Sequence, residues 1–270
     1  MMRTRILSIV IIAFLMLLIP VNVASAKYSI TLGHVSNNST EYYLHLSLVS
    51  LIITASSYRE YNTQNWYGSQ TTYNHVLLAA TGLQEDDSIV FYIGHGDKGF
   101  YHYYITTYDL RKVHDYVIYG YTSSQNLKFV FLWSCHQGDI IGSGEGYFEH
   151  GMPRAWLHTS QLSSDGYHDP WGNYVFIGFY GAAPLLSSRD PQFTQGSTAF
   201  YPLYSFATEF YSAALAYYTY GRDIRNSLKF ASYRVWGTYY FDDTVLWQGY
   251  TIDGEFGRMV VYGNSLITIY

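Results

Sequence analysis

A thiol and an imidazole occupy matched positions in this chain. Cys135 is the single cysteine among 270 residues. It follows the apolar run Leu127-Lys128-Phe129-Val130-Phe131-Leu132-Trp133 and lies in the segment Ser134-Cys135-His136-Gln137-Gly138-Asp139. His95 follows a second apolar run, Ser88-Ile89-Val90-Phe91-Tyr92-Ile93, within Gly94-His95-Gly96-Asp97. A thiolate attacks electrophilic carbon, and an imidazole with an ordinary pKa of about 6.5 both takes and returns protons near neutrality. Taken singly, a cysteine is commonly a small buried hydrophobe and a histidine a hydrogen-bonded loop residue. Two such residues, each closing a strand-like run, read together as a nucleophile with its base.

The elements around the pair are those that would position it. Tyr28 to His34 reads as a first strand. Ser39 or Thr40 caps a helix from Glu41 to about Leu48. Leu51-Ile52-Ile53-Thr54-Ala55 reads as a second buried strand, and Arg59 to Gln70 as an exposed loop. Tyr73, Val76, Leu77, Ala80 and Leu83 share a helical face across Thr72 to Leu83. Asp109 to Tyr121 reads as another amphipathic helix, with Leu110, Val113, Val117 and Tyr121 on its apolar side. Strands alternating with helices imply βαβ units and a mostly parallel sheet, covered on both faces where the runs are continuously apolar. Parallel strands would bring His95 and Cys135 to one sheet edge, where open α/β sheets hold their sites. Gly138 to Asp169 is Gly-, Ser- and His-rich without a period. Tyr174 to Tyr180 reads as a strand, Phe200 to Ala216 and Asp223 to Trp236 as helices, and Thr244 to Tyr270 as two or three antiparallel strands turning at Gly254 and Gly263.

The N-terminus has its own signature. Arg3 and Arg5 precede an apolar stretch from Ile6 to Pro20, and Ala24-Ser25-Ala26 follows. This pattern describes a secretory signal cleaved after Ala26, so residues 1–26 are expected to be removed and 27–270 to form the working domain. The apolar core is shorter than the roughly 20 residues of a membrane span, and an uncleaved anchor is the lesser expectation. No later transmembrane segment is expected. Two overlapping glycosylation sequons, at Asn37 and Asn38, fit an exported surface loop. The remaining 244 residues suffice for a sizeable core without disulfides. Thirteen basic residues then face twenty acidic ones, a net charge of −7, which argues against a nucleic-acid partner. The 31 tyrosines combine apolar bodies with polar tips.

With the two blocks in view, the chain resembles the caspase-like (clan CD) cysteine peptidases. Tyr92-Ile93-Gly94-His95-Gly96 is similar to the histidine block of the metacaspases, and Ser134-Cys135-His136-Gln137-Gly138 to their cysteine block. The separation of 40 residues lies in the family's range. The resemblance spans Tyr28 to Tyr180 and, more loosely, the two helices that follow, and it implies a three-layer αβα sandwich with a mostly parallel sheet, with the C-terminal strands unexplained by it. It implies a secreted endopeptidase acting on polypeptides through Cys135 as nucleophile and His95 as general acid and base. The backbone N–H groups of Gly96 and Cys135 would form the oxyanion hole, and no cofactor is implied. The metacaspase aspartate that precedes Ser-Cys and selects basic P1 residues is here Trp133, so that specificity does not carry over.

Further polar candidates for the substrate pocket are His34, Asp97, Asp139 and Tyr180. Ten histidines raise the question of a metal, but none forms a His-x-x-x-His spacing, and no metal site is expected. Asp165 to Asp169 and Asp242-Asp243 read as turns and not as calcium ligands, which must number six or more. The competing expectation is an inactive member of the same scaffold serving as an extracytoplasmic binding or structural protein.

Overall fold

The computed structural model describes residues 27–35, 39–84, 86–123, 127–141, 150–158, 172–188, 197–215, 222–237, 248–250 and 255–270. The expected signal, both sequons, much of the 138–169 segment, His168, the two aspartate clusters, Gly221 and Gly254 lie outside these residues.

Seven strands make the main sheet. They are β1 (Tyr28–Gly33), β2 (Asn62–Tyr67), β3 (Ser88–Ile93), β7 (Leu127–Trp133), β10 (Val175–Gly181), β11 (Gln248–Tyr250) and β12 (Phe256–Gly263), in the order β11-β12-β10-β7-β3-β1-β2. The five from β2 to β10 run parallel, while β12 and β11 are antiparallel additions on the β10 side. A separate three-stranded antiparallel sheet, β4 (His95–Lys98), β5 (Tyr103–Thr106) and β6 (Lys112–His114), grows directly out of the end of β3. A short β8 (Ile140–Ile141) pairs with β9 (His150–Gly151).

Alternation along the strands explains how both faces are buried. On β3, Ile89, Phe91 and Ile93 join one apolar cluster, while Val90 and Tyr92 join the other. Phe129, Phe131 and Trp133 on β7 alternate in the same way with Val130 and Leu132. Helices α1 (Ser39–Tyr58), α5 (Pro202–Leu215) and α6 (Ile224–Trp236) cover the first face. Helices α2 (Tyr73–Ala80), α3 (Asp115–Tyr119) and α4 (Met152–Leu157) cover the second. At about 25 cal/mol per Å2, burial of such runs supplies most of the driving force for folding. Asp223 caps α6 by accepting from the Asn226 N–H at 2.7 Å.

Three expectations need correction. Leu51 to Ala55 is not a strand but the second half of α1. Buried Glu41, His45, Leu48, Val49, Ile52, Ala55 and Ser56 recur at helical spacing through the whole element, and a short apolar run cannot by itself distinguish helix from strand. Arg59 to Gln70 is not simply a loop: Asn62–Tyr67 pairs in register with β1 as the sheet's outer strand. Asp109 to Tyr121 is mostly strand β6 and a single turn of helix, and Leu110 is 82% exposed.

The parallel order fans outward from β1 and β3, which makes their boundary the topological switch point. In such sheets ligands bind beyond the carboxyl ends of the strands at that boundary. His34 follows β1 there, and His95 follows β3.

Candidate active site

Register carries the two blocks to one place. Ile93 on β3 lies opposite Trp133 on β7 in the parallel pairing, so His95 and Cys135 each stand two residues beyond adjacent strand ends. The Gly94 N–H still donates to the Trp133 carbonyl at 3.3 Å. Beyond it the histidine block turns into β4, with the Tyr92 hydroxyl donating to the His95 carbonyl at 3.0 Å and to the Thr106 carbonyl at 3.2 Å. Gly96 is pressed against the cysteine block. A methyl group there would lie 2.9 Å from the Cys135 carbonyl oxygen and would collide with Ser134 and Gln137.

Cys135 is a free thiol, partly buried. Its Sγ accepts from the Ala183 N–H at 3.3 Å. Burial pushes the thiol pKa above its ordinary value, the Ala183 N–H opposes that, and the negative charges of Glu255 and Asp97 add to it. His95 is exposed. Its ring meets that of His34 edge to face, with centroids 5.5 Å apart. Burial, and then the neighbouring His95, lowers the His34 pKa to about 4, so this ring is neutral at physiological pH.

The turn after Cys135 is held by residues that spacing alone did not single out. His136 takes a left-handed backbone, φ 60°, which costs a non-glycine residue about 1–3 kcal/mol unless its surroundings enforce it. They do. Its N–H donates to the Gly181 carbonyl at 2.6 Å, and its Nδ1 meets Asp139 Oδ2 at 2.9 Å. The other Asp139 oxygen accepts from the Gly181 N–H at 2.7 Å. Gln137 Nε2 donates to the carbonyls of Cys135 (2.9 Å) and Tyr104 (3.2 Å), tying the cysteine turn to β5. Among the described residues, Ser134 Oγ, Gln137 Oε1 and His34 Nδ1 are buried without a hydrogen-bond partner. Such orphans cost about 1–3 kcal/mol each and are kept where a function needs them.

The four pocket candidates do not converge. Asp139 spends both oxygens inside the turn. Asp97 accepts from the Lys98 N–H at 2.7 Å and from the Tyr104 hydroxyl at 2.9 Å on the exposed hairpin. Tyr180, on β10, lies under the Arg258 guanidinium at 4.8 Å. His34 follows β1, three strand spacings away from β10, or roughly 14 Å. Of the four, His34 alone lines the recess on this edge, about 320 Å3 bounded also by Val35, Tyr42, Tyr43, Tyr67, Gly68 and Tyr108. Trp133 points inward, its Nε1–H donating to the Pro184 carbonyl at 2.7 Å.

Of the histidines outside the pair, His158 stacks on Tyr119 with centroids 4.3 Å apart, and His136 belongs to the turn. His102, Asp115 and His150 bring their ligand atoms within 4.8 Å of one another. Among the described residues no helix is long and apolar enough to cross a membrane. No protein-family model matches the chain, and a search of curated proteins finds no match.

Proposed function

We propose that the protein is a secreted cysteine endopeptidase of the caspase-like kind, with Cys135 as nucleophile and His95 as general acid and base. The observation that supports this most is the placement of the two residues beyond adjacent, in-register parallel strands, with Gly96 closed onto the cysteine block.

On this reading the resting enzyme holds Cys135 as a thiol, since burial raises its pKa. His95 removes that proton as a peptide carbonyl arrives, and sulfur forms a bond to the carbonyl carbon. Backbone N–H groups of Gly96 and Cys135 receive the oxyanion. As the C–N bond breaks, His95 returns its proton to the leaving amine. Water, deprotonated in turn by His95, cleaves the thioester and restores the thiol. The recess beside His34 takes the side chain next to the scissile bond. Its walls are tyrosines and a neutral imidazole, surfaces suited to flat or cationic side chains.

A complete P1 peptide library, run with wild type and Cys135→Ala side by side, tests this. Turnover by wild type that vanishes in Cys135→Ala is expected. Wild type that cleaves nothing, with any propeptide removed, overturns the proposal.

One observation favours a second reading, a binding protein on the same scaffold. The single thiol is partly buried and its pKa is raised, the opposite of a preformed thiolate. A substrate-like peptide carrying a chloromethyl ketone separates the two at neutral pH: it alkylates an active Cys135 far faster than iodoacetamide does, because binding and His95 assist the attack, whereas an inert thiol reacts slowly with both.

A further inference from the structure

We propose that His102, Asp115 and His150 form a binding site for one zinc ion, apart from the Cys135–His95 pair and independent of the peptidase reading. The three residues come from separate elements: His102 from the turn between β4 and β5, Asp115 from the start of α3, and His150 from β9. Their ligand atoms all lie within 4.8 Å of one another. His102 Nδ1 and Asp115 Oδ1 are 3.0 Å apart, close to the separation of two ligands sharing a tetrahedral ion.

The carboxylate is built in advance. Asp115 is buried, and its oxygens are aimed by backbone donors, Oδ1 by the Tyr116 N–H at 2.8 Å and Oδ2 by the Gly151 N–H at 2.9 Å. Such outer contacts fix the orientation of metal-binding carboxylates and leave lone pairs for the ion. The His102–Asp115 hydrogen bond accounts for one imidazole but not for the second. The His150 ring stands edge-on to His102 with centroids 4.5 Å apart, so two imidazole nitrogen donors border one fixed carboxylate. Both rings are partly exposed, which gives an ion a path in.

Ligand chemistry selects the metal class. Calcium and magnesium take oxygen ligands almost exclusively, whereas imidazole suits zinc and its neighbours. Two histidines and a carboxylate make a three-ligand set, leaving a fourth position for water. An ion here would staple the β4–β5 turn, which follows His95, to β9, which follows the Cys135 turn.

The test uses the full chain after dialysis against a chelator. Titration with Zn2+ by calorimetry should show one equivalent bound. Zinc in about a hundredfold excess over Kd should raise Tm by roughly 5–10 °C. Co2+ in its place should give the intense visible bands of a four-coordinate ion. His102→Ala and His150→Ala should each weaken binding at least about 100-fold, while His75→Ala, outside the cluster, leaves it unchanged. Because both histidines are partly exposed, their loss leaves a folded protein even if Asp115→Asn does not. Absence of binding, or binding that survives both histidine substitutions, overturns the proposal.

Discussion

Gly96 and Cys135 touch: the α-carbon of one faces the carbonyl of the other, so closely that a methyl group would lie 2.9 Å from that oxygen. This contact joins the end of β3 to the end of β7 where the chemistry is proposed. Gly96→Ala should therefore push the two blocks apart. Overpacking of this kind costs about 1–3 kcal/mol, a Tm loss of roughly 3–10 °C at this size. Turnover should fall further than the stability loss explains, because the displaced atoms include those proposed for the oxyanion hole. Thermal melts and kcat/KM on the same samples check both effects.

His95→Ala should lower kcat/KM about 10²- to 10⁴-fold, the range for losing a general acid and base. Alkylation of the resting thiol should hardly change, because burial governs its ionisation and His95 is not what holds it down. The labelling rate should rise with pH to a midpoint above the ordinary thiol value of 9.0. A midpoint near 6 that disappears in His95→Ala would mean a preformed ion pair instead.

Asp139 carries the cysteine turn. It accepts from the Gly181 N–H and pairs with His136, whose left-handed backbone follows Cys135 directly. Asp139→Ala should cost about 1.5–3 kcal/mol per charged hydrogen bond lost, read as a lower urea midpoint. It should also reduce kcat more than it raises KM, since the nucleophile loses its position and the recess beside His34 is untouched.

The parts of this architecture that were legible in the sequence are those built from strong local patterns. The runs before His95 and Cys135 are almost continuously apolar and rich in β-branched and aromatic residues, because both faces of those strands are covered, and this is why their parallel placement could be read. Asn62-Thr63-Gln64-Asn65-Trp66-Tyr67 escaped the same reading because it is the outer strand and needs little apolar surface. Leu51 to Ala55 misled because the buried face of α1 is wide, with Leu51 and Ile53 half-buried at its margins, so its apolar residues crowd together like those of a core strand. The roles of Asp139 and Gln137 depend on contacts with Gly181 and Tyr104, and no local spacing encodes these. The same holds for His102, Asp115 and His150, which meet only after three elements have packed.

Three groups shape the acid limb of stability: burial lowers the pKa of His114 as it does that of His34, and both act above the window of Glu41. The His34 pKa is lowered to about 4 from an ordinary 6.5, first by burial and then by His95. Between those values the unfolded chain binds the extra proton, so stability falls as pH drops from about 6.5 to about 4 and is flat on either side. Glu41 works below that. Burial alone would raise its carboxyl, but hydrogen bonds from His45 and Ser187 together outweigh burial and hold it below the usual value of 4.5. Its contribution is present above 4.5 and is lost as pH falls through its folded value. Structurally the carboxylate accepts the Leu186 N–H at 2.8 Å and the Ser187 N–H at 2.7 Å. It thereby anchors the segment whose Ala183 N–H reaches the Cys135 sulfur. Urea midpoints measured from pH 3 to pH 8 should show both limbs in wild type. His34→Gln should shrink the limb above pH 4 to the part that His114 carries, and leave the lower one. Glu41→Gln should do the reverse, and it should also speed alkylation of Cys135, because the segment covering the sulfur loosens. An upper limb that is unchanged in His34→Gln would assign it to another group.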